Sequence, residues 1–240
     1  MKTNSKHLGL VTKKFNEFFF VDLKNKENFG NSERFLCKVR KSINFKDQFI
    51  YVGDEVEIDN IDLTSKRAVI ASLKKRQNLL NRPSVANISN IYITFSVEEP
   101  KLNLSQVNRF LISAESMGVE VSLVLTKCDL ISDKKQIFLL DKFKKWGYQA
   151  IILNLHKSDH FEDLLAQLKK KKCSIFMGPS GVGKTTLLNK IIPGLQNSTA
   201  PVSNKIKRGK NTTRNVELFS ISNQSYIVDT PGFNMQPLEV

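Results

Sequence analysis

The chain has 240 residues, 40% of them hydrophobic and 25% charged, which is the composition of a globular protein long enough to bury a core. Its 37 Lys and Arg residues outnumber its 23 Asp and Glu residues, and the net charge of +14 favours a polyanionic partner such as RNA. Three scattered cysteines, no signal peptide and no membrane-length apolar run argue against a disulfide framework, a zinc site formed by these cysteines, and a membrane protein, and we expect a cytoplasmic location.

Residues 1–72 contain short runs of β-branched and aromatic residues separated by turn-forming stretches. These runs are HLGLVTKKFNEFFFVDL, RFLCKVRKSI, FIYVGDEVEI and KRAVIASL. Several short strands without a long helical period predict a small all-β barrel of the OB type. Basic side chains alternate with phenylalanines here, which suits phosphate contacts and base stacking with single-stranded RNA, although for most of the phenylalanines we prefer the interpretation as barrel core.

Residues 73–87 are interpreted as a linker, and residues 88–240 as an α/β domain with a mainly parallel sheet. Buried strands are predicted at 90–97, 119–125, 150–155 and 173–177, with the helical stretches LSQVNRFLISAESM, KKQIFLLDKFKKW and FEDLLAQLKKK between them. Alternating strands and helices predict a parallel sheet whose ligands bind at the carboxyl ends of the strands. The nucleotide motifs described next fall at such ends.

The segment GPSGVGKTT fits the phosphate-binding pattern G-x-x-x-x-G-K-[ST] and lies between a predicted strand and a predicted helix. Its glycines let successive backbone N–H groups point at phosphates, and the helix N-terminus favours the same charge. Lys184 is placed on the β- and γ-phosphate oxygens, and Thr185 supplies a hydroxyl to Mg²⁺. The phosphate-binding residues that we assign are Gly178, Pro179, Ser180, Gly181, Val182, Gly183, Lys184, Thr185 and Thr186.

Two further segments downstream suit the γ-phosphate and the metal ion. DTPG ends the predicted strand SYIVDT, so that Asp229 is placed to hold Mg²⁺ through water and the Gly232 N–H to meet the γ-phosphate. The long polar stretch before it has the composition of a switch loop. Its spacing does not decide between Thr212 and Thr213 as a ligand of Mg²⁺ and the γ-phosphate, and we assign Thr213.

The tetrapeptide TKCD, formed by Thr126, Lys127, Cys128 and Asp129, follows a predicted strand and favours GTP over ATP. The Asp129 carboxylate can accept from N1–H and N2–H₂ of guanine together, whereas adenine offers no such pair of donors. Lys127 would lay its aliphatic stem over the base. The motif precedes the phosphate loop by 52 residues (178 − 126), the reverse of the order in an ordinary GTPase.

The motif order resembles one family, the circularly permuted, small ribosomal subunit-dependent GTPases called RsgA or YjeQ. Six segments carry the resemblance, in this order: VGDEVEI, RQNLLNRPSVANISN, TKCD, GPSGVGKTTLLN, RGKNTTRNVEL and DTPGF. The resemblance implies an OB-fold domain followed by a permuted GTPase domain and a zinc-binding C-terminal region. It also implies GTP and GDP binding with Mg²⁺, binding to 16S rRNA, and GTP hydrolysis that the small (30S) ribosomal subunit stimulates during its late maturation. We expect a monomer.

This chain departs from the family pattern at several positions. The sequence ends eight residues after Gly232 (240 − 232), so we expect the zinc region to be absent and assign no zinc ligand. Asn211 stands where the family usually has a switch His, and Asn cannot take up a proton at neutral pH. Asn154 and Leu155 replace the usual Ser-Ala turn near guanine. Phe233 stands where many GTPases have a water-orienting Gln, so we expect slow hydrolysis without the subunit.

Two alternatives to a ribosome-stimulated GTPase stay open at this stage. The first is an RNA-binding assembly module that uses GTP as a conformational ligand and hydrolyses it little, because of Asn211 and the missing C-terminal region. The second is a phosphate-loop ATPase in which TKCD arises by chance in a lysine-rich chain.

Overall fold

A computed structural model describes residues 2–3, 5–23, 34–40, 49–155, 160–193, 195, 216–222 and 224–229. These residues form two compact units. The first runs to Ile88 and includes 216–229, and the second runs from Ser89 to Leu195. Each unit contains one part of the predicted architecture.

The first unit contains a closed five-stranded barrel formed by β2 (His7–Phe15), β3 (Phe18–Leu23), β4 (Arg34–Val39), β5 (Glu55–Asp62) and β6 (Arg67–Leu73). The strands pair in the order β2-β3-β4-β6-β5, and the pairing of β5 with β2 closes the barrel. All pairs are antiparallel except β4 with β6. The two-residue strand β1 (Lys2–Thr3) extends the edge of β5. The prediction of an OB-like barrel is confirmed.

Alternating side chains of the strands fill the barrel, as the period of two requires. The core contains Phe19, Phe35, Cys37 and many aliphatic residues, including Val11, Val21, Val56, Ile58, Ile61 and Ile70. Phe15 and Phe49 are exposed instead, so phenylalanine serves both as core and as surface in this unit. Sequence alone did not separate these two groups.

Residues 73–87, which we interpreted as a linker, make ordered contacts with the barrel. They include the end of β6 and the hairpin of β7 (Leu79–Asn81) and β8 (Ser84–Ala86). The Ala86 N–H donates to the Val52 carbonyl, and a Cβ on Gly53, whose φ is +90°, would lie 2.1 Å from the Ala86 carbonyl oxygen. Gly53 therefore permits this close approach of two backbones. The domain limits themselves stay a prediction.

A second hairpin, β13 (Glu217–Ser222) and β14 (Ser225–Asp229), belongs to the same unit as the barrel. β13 pairs with β2 where Glu217 lies opposite Lys13. The Lys13 ammonium donates to the Glu217 carboxylate at 2.5 Å, and Arg34 contacts the same carboxylate at 3.4 Å. Arg34 also binds Asp22 at 2.8 Å, so these side chains form a connected ion-pair network.

The second unit is a parallel sheet with helices between its strands. Its strands are β9 (Asn90–Ser96), β10 (Glu120–Thr126), β11 (Ala150–Ile152) and β12 (Cys173–Met177), and they lie in the order β12-β9-β10-β11. Its helices are α1 (Leu104–Glu115), α2 (Asp133–Lys145), α3 (Phe161–Lys169) and α4 (Lys184–Ile191). β9 and β12 are buried along their whole length, as their continuous apolar runs predict.

Candidate nucleotide-binding site

The predicted phosphate loop lies between β12 and α4, as its strand–loop–helix context requires. Gly178 follows the last residue of β12 with φ +152°, and a Cβ there would lie 2.0 Å from the carbonyl oxygen of Thr94 in β9. Only glycine therefore lets the loop start this close to the neighbouring strand. Ser180 and Gly181 are exposed, whereas Val182 is buried and anchors the loop.

Lys184, the first residue of α4, folds back over the loop. Its Nζ donates to the carbonyl oxygens of Gly178 at 2.7 Å and Pro179 at 2.5 Å. Burial lowers the pKa of its ammonium group. No carboxylate forms an ion pair with Lys184 among the residues that the structure describes, so carbonyl dipoles are the partners seen for its charge. A half-buried cation of this kind favours an anionic ligand.

Thr185 and Thr186 occupy the first turn of α4, and both are exposed. A threonine hydroxyl next to the loop lysine is an oxygen donor of the type that Mg²⁺ accepts, and Mg²⁺ usually keeps water and phosphate oxygens as its other ligands. The part of the chain that the structure describes contains no cluster of three or more His, Cys, Asp or Glu side chains able to hold a metal ion. The role of Thr185 as an Mg²⁺ ligand stays a prediction.

The TKCD loop contacts the phosphate loop directly. Thr126, the last residue of β10, is fully buried, and its hydroxyl lies 2.6 Å from the Val182 carbonyl oxygen and 3.3 Å from that of Phe95. These two oxygens belong to the phosphate loop and to β9. Segments 56 residues apart in sequence are thus joined by one buried side chain.

The other three residues of TKCD divide between packing and exposure. Lys127 adopts the left-handed conformation, with φ +57°, and its ammonium donates to the Glu99 carbonyl. Cys128 is buried, its thiol donates to the Leu125 carbonyl at 3.2 Å, and burial raises its pKa to about 11. Asp129 is exposed in the 3-10 helix Cys128–Leu130. Its carboxylate is accessible to a ligand.

Two contacts at this edge of the sheet were missed at the level of sequence. The first holds the loop after β9, because the Ser96 hydroxyl donates to the Pro100 carbonyl at 2.7 Å. This loop lies near both motifs. The Glu99 carbonyl accepts from the Lys127 ammonium, and Pro100 lies 3.7 Å from a Cβ built on Gly181. The sequence signal that could have predicted this contact is a proline-containing turn at the carboxyl end of a central parallel strand.

The second missed contact involves the Asn154–Leu155 segment that replaces the usual Ser-Ala turn. The Lys190 ammonium of α4 donates to the Leu155 carbonyl at 2.7 Å and lies 5.0 Å from the centre of the Phe161 ring. A Leu155 methyl lies 3.6 Å from a Cβ built on Gly183. This segment is therefore held against the phosphate loop and α4. A lysine inside a predicted helix carried no sequence signal for such a role.

The remaining predicted site residues belong to the downstream segments. Asp229 is the last residue of β14, where it is paired with Glu217 of β13 and partly buried. Thr213 and Gly232 lie outside the described residues, as do Thr212, Asn211 and Phe233. The structure thus brings together the phosphate loop and TKCD, and the roles of the downstream residues stay predictions.

Residues 73–239 match the family model described as RsgA GTPase, which covers more than half of the chain. The chain belongs to the RsgA GTPase family. Two relatives named small ribosomal subunit biogenesis GTPase RsgA, from Prochlorococcus marinus strains NATL1A and NATL2A, are each 41% identical over 238 residues. These matches cover 96% of this chain and 76% of each relative.

Two solved structures of similar proteins agree with the RsgA assignment. YjeQ from Thermotoga maritima has a TM-score of 0.78 at 30% identity, covering 96% of this chain and 76% of that one. A protein described as YloQ, a circularly permuted GTPase, has a TM-score of 0.75 at 25% identity, covering 96% of this chain and 73% of that one. The resemblance inferred from the motifs is confirmed, and this RsgA-family chain is a circularly permuted GTPase with an OB-like barrel. None of the helices described is both long and apolar enough to cross a membrane.

Proposed function

We propose that this chain binds GTP with Mg²⁺ at the joined TKCD and phosphate loops and hydrolyses it during late maturation of the small (30S) ribosomal subunit. The observation that carries the proposal is the Thr126 hydroxyl on the Val182 carbonyl at 2.6 Å. It brings TKCD into contact with the phosphate loop despite their reversed order in the chain, which supports one shared site. Two accidental motifs would have no reason to meet.

The residues divide the work between the two ends of the nucleotide. Asp129 accepts the guanine N–H donors and Lys127 covers the base, while the backbone of residues 178–183 and Lys184 bind the phosphates. The Lys184 ammonium, now on two carbonyl oxygens, gains a much stronger partner when phosphate arrives. Thr185, Thr213 and Asp229 are the residues that would hold Mg²⁺, which neutralises phosphate charge when bound. The Gly232 N–H would meet the γ-phosphate.

The partner that we propose is the 30S subunit and its 16S rRNA. The two Prochlorococcus relatives carry the name of a small-subunit biogenesis GTPase, and the net charge of +14 suits a polyanion. On the barrel, Phe15 is exposed, Lys14 lies 5.7 Å from the Phe19 ring and Lys38 lies 4.7 Å from the Phe18 ring. Such a surface suits RNA phosphates and bases. A cytoplasmic monomer is the state in which we propose that the protein acts.

Nucleotide specificity tests the base-reading half of the proposal. We expect wild type to bind GTP far more tightly than ATP, and Asp129→Asn to weaken GTP binding while improving the binding of XTP. The amide of Asn donates where the carboxylate accepts, which matches the carbonyl that xanthine carries in place of the guanine amine. Equal binding of GTP and ATP by wild type would leave the phosphate-loop ATPase as the better description.

The rate of GTP hydrolysis tests the proposed stimulation by the 30S subunit. Purified 30S subunits should raise the GTPase rate of wild type, and the stimulation should fall steeply between low and high salt, because phosphate contacts release counterions. Lys184→Met serves as the inactive control at both salt concentrations. GTP binding with an unchanged, negligible rate in the presence of subunits would favour the GTP-gated assembly module instead.

A further inference from the structure

The outer face of α2 exposes large apolar side chains. Phe138 is 61% exposed, Ile137 60% and Trp146, the C-cap residue, 36%, whereas Leu139 and Phe143 on the opposite face are buried. The helix packs next to β11 of the sheet. The exposed aromatic residues therefore need another explanation than the core.

Lys142 lies between the two exposed aromatic rings. Its ammonium is 5.9 Å from the centre of the Phe138 ring and 5.7 Å from that of the Trp146 ring. The positions 138, 142 and 146 are four residues apart and therefore follow one line along the helix. We call these three residues the α2 ridge. Trp146 also packs edge-on against the buried Phe143 at 5.4 Å, which fixes the orientation of its indole.

The surroundings of the α2 ridge are basic. The helix carries five lysines and two aspartates, so its charge is +3 (5 − 2), and Lys134, Lys144 and Lys145 are exposed. The neighbouring helices differ, because α1 has one Arg and one Glu, and α3 has one Lys against one Glu and one Asp. α1 exposes an apolar side chain, Ile112, without such basic surroundings. Aromatic exposure and positive charge coincide on α2.

We propose that the α2 ridge binds unpaired nucleotides of RNA, with one base on Phe138 and another on Trp146, and with Lys142 and the flanking lysines on the phosphates. Eight residues of helix place the two rings about 12 Å apart along the axis. This exceeds the rise of about 3.4 Å between stacked nucleotides, so each ring takes a separate base. Aromatic platforms beside cations are the means by which proteins bind single strands without sequence readout.

The chemistry favours RNA over an anionic membrane or an acidic protein. Membrane-surface helices present a continuous apolar face, whereas the exposed Asp141 follows Ile137 and Phe138 within one helical turn. An acidic protein segment would use the lysines and leave the rings without partners. The surface lies in the GTPase unit and does not involve the barrel or the nucleotide loops, so it extends the proposed function without depending on the same residues.

Trp146 provides the test, because it is the single tryptophan of the chain. Full-length protein is titrated with unstructured single-stranded RNA of about eight nucleotides, a length within the usual site size for such surfaces. We expect quenching of the Trp146 emission, because a stacked base contacts the indole, and we expect the quenching midpoint to rise with salt. Phe138→Ala and Lys142→Gln, both at the surface, should each raise the midpoint at least about fivefold.

Matched controls are available at other surface positions. Lys170→Gln together with Lys172→Gln removes two exposed lysines beyond α3, and Ile112→Ala removes an exposed apolar side chain from α1. Both should leave the Trp146 quenching midpoint within about twofold of wild type, since they remove no ring of the α2 ridge. GTP hydrolysis is measured on every variant and should be unchanged without subunits, which also reports correct folding.

Three results would overturn the assignment. The first is emission that single-stranded RNA does not change. The second is quenching that Phe138→Ala and Lys142→Gln leave as in wild type. The third is a response to vesicles rich in phosphatidylglycerol without a response to RNA, which would assign the surface to a membrane. Each of these can occur with GTP hydrolysis intact, so failure here is distinguishable from failure of the proposed GTPase function.

Discussion

Two basic side chains in this protein, Arg76 and Lys184, both donate to main-chain carbonyls, but their other surroundings differ. In the barrel unit, Arg76 binds both oxygens of the fully buried Asp54 at 2.6 and 2.7 Å and also donates to the Phe49 carbonyl. In the sheet unit, Lys184 donates to the Gly178 and Pro179 carbonyls. The described residues include a carboxylate partner for the first cation and none for the second.

The surroundings move the pKa values of the two cations in opposite directions. Hydrogen bonding to Asp54 raises the pKa of Arg76, whereas burial lowers the pKa of Lys184. An ion pair between two protein side chains stabilises the fold. The Tyr51 backbone N–H also donates to the Asp54 carboxylate, at 2.7 Å. An incompletely neutralised cation prefers an anion from outside. The comparison teaches that the first pair serves the fold, whereas the second cation keeps the capacity that our proposal assigns to phosphate binding.

The largest effect is expected from Asp54→Ala, which leaves Arg76 without its carboxylate. Breaking a buried ion pair costs about 3–5 kcal/mol in the free energy of unfolding. Urea denaturation measures this loss. The double variant Asp54→Ala, Arg76→Met should recover part of it, because no buried charge is then left unpaired. Equal stability of the single and double variants would show that Asp54 acts through Tyr51 rather than through the ion pair.

Lys184→Met should lower kcat/KM for GTP by about 100-fold or more, since it removes the positive charge that we propose binds the phosphates. The free energy of unfolding without nucleotide should stay level or rise, because a half-buried ammonium without a carboxylate is lost. Steady-state hydrolysis and urea denaturation on the same preparation give both values. A loss of stability as large as that of Asp54→Ala would contradict the comparison drawn above.

Thr126→Val tests the link between the two nucleotide motifs and should have an intermediate effect. Valine keeps the shape of threonine but leaves the Val182 and Phe95 carbonyls without the hydroxyl, at a cost of about 1–3 kcal/mol. Binding of labelled GTP should weaken as well. Thr94→Val is the matched control, because the buried Thr94 hydroxyl donates to the Tyr92 carbonyl of its own strand, at 3.4 Å. GTP affinity should be unchanged there.

The smallest effect concerns pH and the buried thiols. Burial raises the pKa of Cys37 to about 12 and that of Cys128 to about 11, from an ordinary value of 9.0. Above pH 9 the unfolded chain loses thiol protons that the folded chain keeps, so the free energy of unfolding falls as pH rises through this range.

Each thiol contributes at most about 1.4 kcal/mol per pH unit to this fall. Urea denaturation at pH 9 and pH 10 gives the free energy of unfolding at each pH. This free energy should fall less between the two pH values for Cys128→Ala than for wild type. An equal fall in the free energy of unfolding for the two proteins would mean that the Cys128 thiol ionises in the folded state as readily as in the unfolded one. In that case burial would not govern the ionisation of Cys128.

The sequence analysis placed the main elements closely. The strand predicted at 173–177 is Cys173–Met177, and the helix predicted after the phosphate loop is Lys184–Ile191. These succeed because a buried strand and a phosphate loop each need a local pattern of residues. The strand predicted at 150–155 is shorter, Ala150–Ile152, because the chain turns at Asn154 and Leu155 to meet α4. That turn depends on a lysine 35 residues away.

The sequence by itself determined that a small barrel precedes a permuted GTPase domain, because strand period, helix period and loop motifs are properties of neighbouring residues. Only the tertiary structure decided that the Thr126 hydroxyl donates to the Val182 carbonyl and that Arg76 forms an ion pair with Asp54. It also decided that Phe19 lies in the core while Phe138 faces outward. Partners of this kind come from residues far apart in the chain. Strand register and helix packing bring them together, and no local pattern records either.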